Sequence, residues 1–166
     1  MDGVADGVVY GDAADLVVSW QAADATSGVG TVAATLDGAE ITSGTYLPLY
    51  RLPLGFHRLS VAATDLAGNR TEQTLEFATH TSTREISLLL QRFRATSRLS
   101  LPAYTRLTEQ LAVVRLAEAD GDDERALAEC LVFQTLAADA VLVPDADVRS
   151  VLVRDAGVVA GRIEGR

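Results

Sequence analysis

Leu75-Glu76-Phe77-Ala78-Thr79-His80-Thr81-Ser82-Thr83-Arg84-Glu85-Ile86-Ser87-Leu88-Leu89-Leu90-Gln91-Arg92-Phe93 decides how the chain is read. Before His80, apolar Leu75 and Phe77 alternate with polar neighbours, the period of a strand with one buried face. After it, Ile86, Leu89, Leu90 and Phe93 recur every three to four positions, the stripe of an amphipathic helix. Ser82 or Thr83 stands where a helix cap is wanted. The period changes here once, so the chain is expected to hold a β-built half followed by an α-built half.

Working back from the switch, Leu59, Val61 and Ala63 alternate, and so do Val32, Ala34 and Leu36, and Leu16, Val18 and Trp20. Asp37-Gly38 is a tight-hairpin signal, and Ile41 lies on the short strand that leaves it. Asp24-Ala25-Thr26-Ser27-Gly28 and Asp65-Leu66-Ala67-Gly68-Asn69 are turns, because Asp and Ser bond nearby amides and Gly tolerates positive φ. Tyr46 to Leu54 carries two prolines and reads as an edge strand or loop. Short strands at this spacing predict a β-sandwich. Working forward, Pro102 opens a second helix with Tyr104, Leu107, Leu111 and Val114 on its apolar face. Asp120-Gly121-Asp122 ends that helix and caps the next, whose apolar residues are Leu127, Cys130, Leu131, Phe133 and Leu136. Pro144-Asp145 starts a fourth, with Val148, Val151, Leu152 and Val159 inward. Short connections predict antiparallel neighbours. The expected class is therefore two modules, a β-sandwich over residues 1–80 and a small antiparallel four-helix bundle over 81–162.

Composition narrows the chemistry. The 166 residues are 48% hydrophobic, which excludes compositional disorder. A net charge of -9 opposes phosphate backbones and anionic surfaces, so nucleic acid is not an expected partner. All 14 basic residues are Arg. Without Lys there is no P-loop lysine, no Schiff-base nucleophile and no Lys–Asn isopeptide bond. Cys130 has no partner for an internal disulfide and lies in an apolar helical stretch, the setting of a buried, inert thiol. With only His57 and His80, a His-rich zinc site is excluded. No apolar run approaches the ~18 residues of a membrane span, and no signal peptide is present. Met1 directly before Asp2-Gly3 reads as the start of a segment taken from a longer chain. Ile163-Glu164-Gly165-Arg166 matches a factor Xa cleavage site and reads as a tag remnant over 163–166.

Asp24–Gly28, Leu36-Asp37-Gly38, Leu52-Pro53-Leu54-Gly55-Phe56-His57 and Ala63-Thr64-Asp65-Leu66-Ala67-Gly68-Asn69 together resemble the immunoglobulin-like, fibronectin-type repeats of secreted bacterial enzymes and adhesins. That likeness spans about residues 5–80. Leu88-Leu89-Leu90 through Phe93, Leu107 to Leu111, Ala119-Asp120-Gly121-Asp122, Ala126, Leu131 to Phe133 and Ala156 resemble the FIMAH domain, a helical module appended to such enzymes. That likeness spans about 83–160, although the Lys-rich segments of the family are missing. The resemblance implies a secreted bacterial setting and a non-catalytic spacer or adhesion role beside neighbouring domains of a longer chain, with a polysaccharide or surface protein as partner.

Few residues qualify as site candidates. No catalytic set is expected: there is no Gly-x-Ser-x-Gly elbow, and no paired carboxylates with an evident cleft. Asp24, Asp37, Asp65 and Asn69 form a weak calcium set if their turns converge at one end, though hairpin turns need these residues anyway. Asp120, Asp122, Asp123 and Glu124 lack EF-hand spacing and read as a capped turn. Tyr46, Tyr50 and Phe56 cluster around the proline-containing stretch and read first as packing on the sandwich core or edge; as exposed candidate ligand contacts they give the alternative, a carbohydrate-binding module that targets an attached hydrolase. His57 reads as an ordinary edge residue, and Arg84, Arg92, Arg94 and Arg98 as a solvated basic face.

Overall fold

A computed structural model describes residues 1–165 and corrects the expected class. The chain is mixed α/β. It does not form an all-β immunoglobulin-like sandwich followed by a separate four-helix bundle. Seven strands come first: β1 (Val9–Gly11), β2 (Asp15–Val18), β3 (Val29–Leu36), β4 (Ala39–Ile41), β5 (Thr45–Pro48), β6 (Gly55–Asp65) and β7 (Arg70–His80). Four helices follow: α1 (Thr83–Ala95), α2 (Leu101–Asp120), α3 (Asp123–Ala138) and α4 (Ala146–Glu164). Five strands make one mixed sheet in the order β1-β7-β6-β3-β4, and β2 and β5 form a separate two-stranded ribbon. β1 runs parallel to β7, with Val9 opposite Ala78 and Gly11 opposite His80.

The physical reason for the miss is that alternation reports which face of a strand is buried. It does not report how many strands pair or in which direction. The proline-containing stretch gives only the four residues of β5 and a 3-10 turn at Leu49–Arg51. The alternation of Leu16 and Val18 stops at Val18, and Trp20 falls in irregular chain. The ribbon is therefore too short to match the long β6–β7 hairpin.

By its internal contacts the chain divides into two compact units, Met1–His80 and Thr81–Arg166. In the first, the hairpin turn at Asp37-Gly38 takes positive φ at both residues (51° and 84°), the backbone that a two-residue hairpin requires. Leu36, Leu59 and Phe77 from the sheet meet Val18 and Leu47 from the ribbon, with Val4 and Leu49 closing the cluster. Gly3 lies flat on the ribbon. A Cβ there would sit 1.8 Å from the Val17 carbonyl oxygen, so only glycine fits.

In the second unit α1 packs on α2 and α4, α2 on α3, and α3 on α4. Each helix start carries a side-chain cap: Ser82, Ser100, Asp122 and Asp145 accept from backbone amides of their first turns. Gly121 ends α2 in the left-handed conformation, φ 72°. The core takes Ile86, Leu89, Leu90, Phe93, Leu107, Phe133, Val148 and Leu152 together with Ala103, Ala117, Ala126, Ala137 and Ala156, all nearly solvent-free. In α3 the buried stripe is Ala126, Cys130, Phe133 and Ala137. Leu131, expected inside, is 48% exposed. Ile163, read above as part of a tag, is a buried side chain of α4, and Arg166 lies outside the described residues.

Candidate functional site

The inner faces of β6 and β7 run past the end of the ribbon. Register places Val61 opposite Gln73 and Ala63 opposite Thr71, so these four side chains share one face. They form the floor of a cleft of about 460 Å³. One wall is the irregular chain from Trp20 to Asp24; the Asp65 and Asn69 ends of the β6–β7 turn form the rim, with Met1, Val29 and Thr64 completing the lining. The volume lies within the range of about 300–1,000 Å³ of small-molecule sites. Trp20 is half-buried there, and its backbone is fixed by Ser43, whose hydroxyl accepts from Trp20 N–H (3.0 Å) and donates to Trp20 O (3.1 Å).

The cleft gathers three of the four calcium candidates. Asp24 Oδ1 accepts the amides of Thr26 (3.0 Å), Ser27 (2.6 Å) and Gly28 (2.8 Å). Asp65 Oδ1 accepts Asn69 N–H at 2.8 Å, and its Oδ2 accepts the Asn69 side-chain amide at 2.8 Å. The Ser27 hydroxyl links the two turns, 2.7 Å from Asp65 Oδ2 and 3.2 Å from Asp24 Oδ1. Hydrogen bonds from Asn69 and then Ser27 lower the Asp65 carboxyl to about 2. The Ser27, Gly28 and Thr26 amides lower that of Asp24. These acids therefore act as ionised staples of the wall and rim. Asp65 spends both oxygens and Asp24 its Oδ1 on turn amides and the Ser27 hydroxyl, and among the described residues no group of three or more His, Cys, Asp or Glu side chains is placed to hold a metal ion.

The fourth candidate, Asp37, goes elsewhere. Its Oδ2 lies 2.7 Å from His57 Nδ1, and its Oδ1 accepts Arg58 N–H at 2.8 Å. His57 is not a solvated edge residue: it sits on β6 opposite Phe77 of β7, beside the Asp37 turn, and is 3% exposed. Its Nε2 faces Pro53 O (3.0 Å) and Thr79 Oγ1 (3.1 Å), and its ring tilts against Phe77. The expected aromatic cluster is dispersed as well. Tyr50 is buried in the 3-10 turn, Tyr46 projects from β5, and Phe56 stands 91% exposed at the start of β6. None of the three lines the cleft.

In the second unit, Arg98 leaves the expected basic face. Its guanidinium forms a fork on Asp145, Nε to Oδ2 at 2.7 Å and Nη2 to Oδ1 at 2.8 Å, and also reaches Asp147 at 3.3 Å. Hydrogen bonding to Arg98 lowers the Asp145 carboxyl below its ordinary range. Burial lowers Arg92. Cys130 is buried, its thiol pushed up to about 11 mainly by burial, and it donates to Ala156 O. The acidic run at 120–124 serves as a turn, with Asp122 Oδ1 accepting Arg125 N–H at 3.0 Å.

Alternation with Leu16 and Val18 puts Trp20 on an inward strand position; it does pack against the first unit's core, but in irregular chain past β2, and the polar, small-residue run from Gln21 to Ser27 directly after it is the one sequence signal of that break. No helix among the described residues is long and apolar enough to cross a membrane. Searched against protein-family models, curated proteins and solved structures, the chain matches none.

Proposed function

We propose that this chain is a non-catalytic accessory segment. In this reading its first unit retains a ligand in the cleft beside Trp20, and its helical unit serves spacing and docking. The observation that carries the reading is the cleft of about 460 Å³ beside Trp20, whose rim carboxylate Asp65 has both oxygens engaged by Asn69 and Ser27. A carboxyl lowered to about 2 stays ionised across the physiological range, and its oxygens already accept from Asn69 and Ser27. Such a group, with both oxygens held by hydrogen bonds, fixes the shape of the rim. The secreted bacterial repeats and the FIMAH domain that the two halves resemble have accessory roles of this kind, which adds a polysaccharide or surface protein as the partner class.

Trp20 is the chain's single tryptophan, so its emission reports occupancy of the cleft directly. The test incubates the full chain with soluble polysaccharides and peptides, follows that emission, and analyses the mixtures by mass spectrometry. The expected result is a saturable emission change with every probe recovered intact. Conversion of a probe, abolished by Asp65→Asn, would overturn the proposal.

A further inference from the structure

Resting on that binding reading, we infer that the cleft takes a short stretch of a neutral saccharide. The argument comes from which groups in the lining remain free to bind. Asp65 commits both oxygens to its own turn, and Asp24 Oδ1 accepts three amides. In contrast, Gln21, Gln73 and Thr71 spend no side-chain group on another protein atom among the described residues, and all three are exposed at the cleft. Two amides and a hydroxyl offer donors and acceptors together and no net charge. That is the complement of sugar hydroxyls, each of which both donates and accepts.

The apolar part of the lining fits the same ligand. A pyranose has an apolar C–H face and a hydroxylated rim. Trp20 supplies a broad ring whose cost in conformational freedom is small. Val61 and Ala63 on the floor alternate across the β6–β7 pair with Gln73 and Thr71, so apolar and hydrogen-bonding surface are interleaved at strand spacing. Anionic ligands fit poorly, because no Arg lines the cleft and the two carboxylates stay ionised. A cation would be served by several rings around one charge, whereas Trp20 is the one aromatic side chain in the lining.

The test titrates Trp20 emission of the full chain with three probe sets: neutral gluco-, xylo- and manno-oligosaccharides, uronic-acid oligosaccharides, and oligolysine. The expected result is saturable binding to at least one neutral series, confirmed by calorimetry, and weakened about tenfold by Gln73→Ala, the loss of one or two hydrogen bonds. Gln73 is exposed on β7, so this variant keeps the fold even if Trp20→Ala does not. A response confined to uronates or oligolysine would overturn the saccharide inference and leave the binding reading standing. Silence from all three sets would overturn both. Neutral binding that Gln73→Ala leaves unchanged would also overturn the inference, because the occupant would then lie outside the cleft.

Discussion

Single side chains in this protein work mainly as staples, and two of them give measurable signatures. Asp65 has its folded carboxyl at about 2 against an ordinary value near 3.8. Its contribution to stability is therefore complete above that ordinary value and is lost as pH falls through the folded one. Stability measured by denaturant between about pH 4 and pH 2 should fall more steeply for the native chain than for Asp65→Asn, and the Asn69 amide resonance should move over the same window. Asp24 and Asp145 act in the same direction. Asp37 illustrates a different cost. Asp37→Ala removes the partner of a buried imidazole and the acceptor for Arg58 N–H. The expected loss is about 1–3 kcal/mol by chemical denaturation, most of it from leaving His57 unsatisfied. A change within error would show that His57 finds another partner.

Among the elements, α3 shows best what hydropathy conceals. Its inward stripe sets one large side chain among small ones: Ala126, Cys130, Phe133 and Ala137. Reading leucines as the inward residues put Leu131 on the wrong side, because alanine adds little hydrophobic signal yet lets neighbouring helices approach closely. Ala126→Leu, hydrophobic for hydrophobic, should nevertheless destabilise the protein by about 1–3 kcal/mol through overpacking. Leu131→Ala should be close to neutral, and paired thermal melts of the two variants check both. Helix ends were far more legible. Ser82, Gly121, Asp122 and Asp145 do what their residue types dictate locally, since a cap depends on the next three amides and little else. Strand positions were legible for the same local reason, with Leu36, Leu59 and Phe77 all inward. Strand partners were not, because the pairing of β1 with β7 depends on residues far apart in the chain.

For the whole molecule, the period change near residue 80 coincides with the boundary between the two compact units. Each has a core of its own: Leu59 and Phe77 in the first, Phe93, Leu107 and Phe133 in the second. Residues 81–166 produced alone should give a helical circular-dichroism spectrum and a cooperative thermal transition; a fragment without either would show that this core does not stand by itself. The architecture built from these units was misread, since two periodicities do not determine how strands assemble. The cleft was harder still to foresee. It exists because β6 and β7, at 11 residues each, outrun a ribbon whose strands have four. That difference in length appears only when the strands are laid side by side.

The parallel seam at the sheet's margin also bears on how the protein is made. A ribosome delivers Val9–Gly11 early and Ala78–His80 last within the first unit, so the earliest strand waits through nearly the whole synthesis of that unit for its mate. Nearly all of α1–α4 is made from neighbours in sequence and can form as it emerges. A nascent chain that has emerged only as far as the Asp65–Asn69 turn can already pair β3 with β4 and β6, but it leaves Val9 and its flanking residues without β7 to join, an unpaired edge open to misassociation.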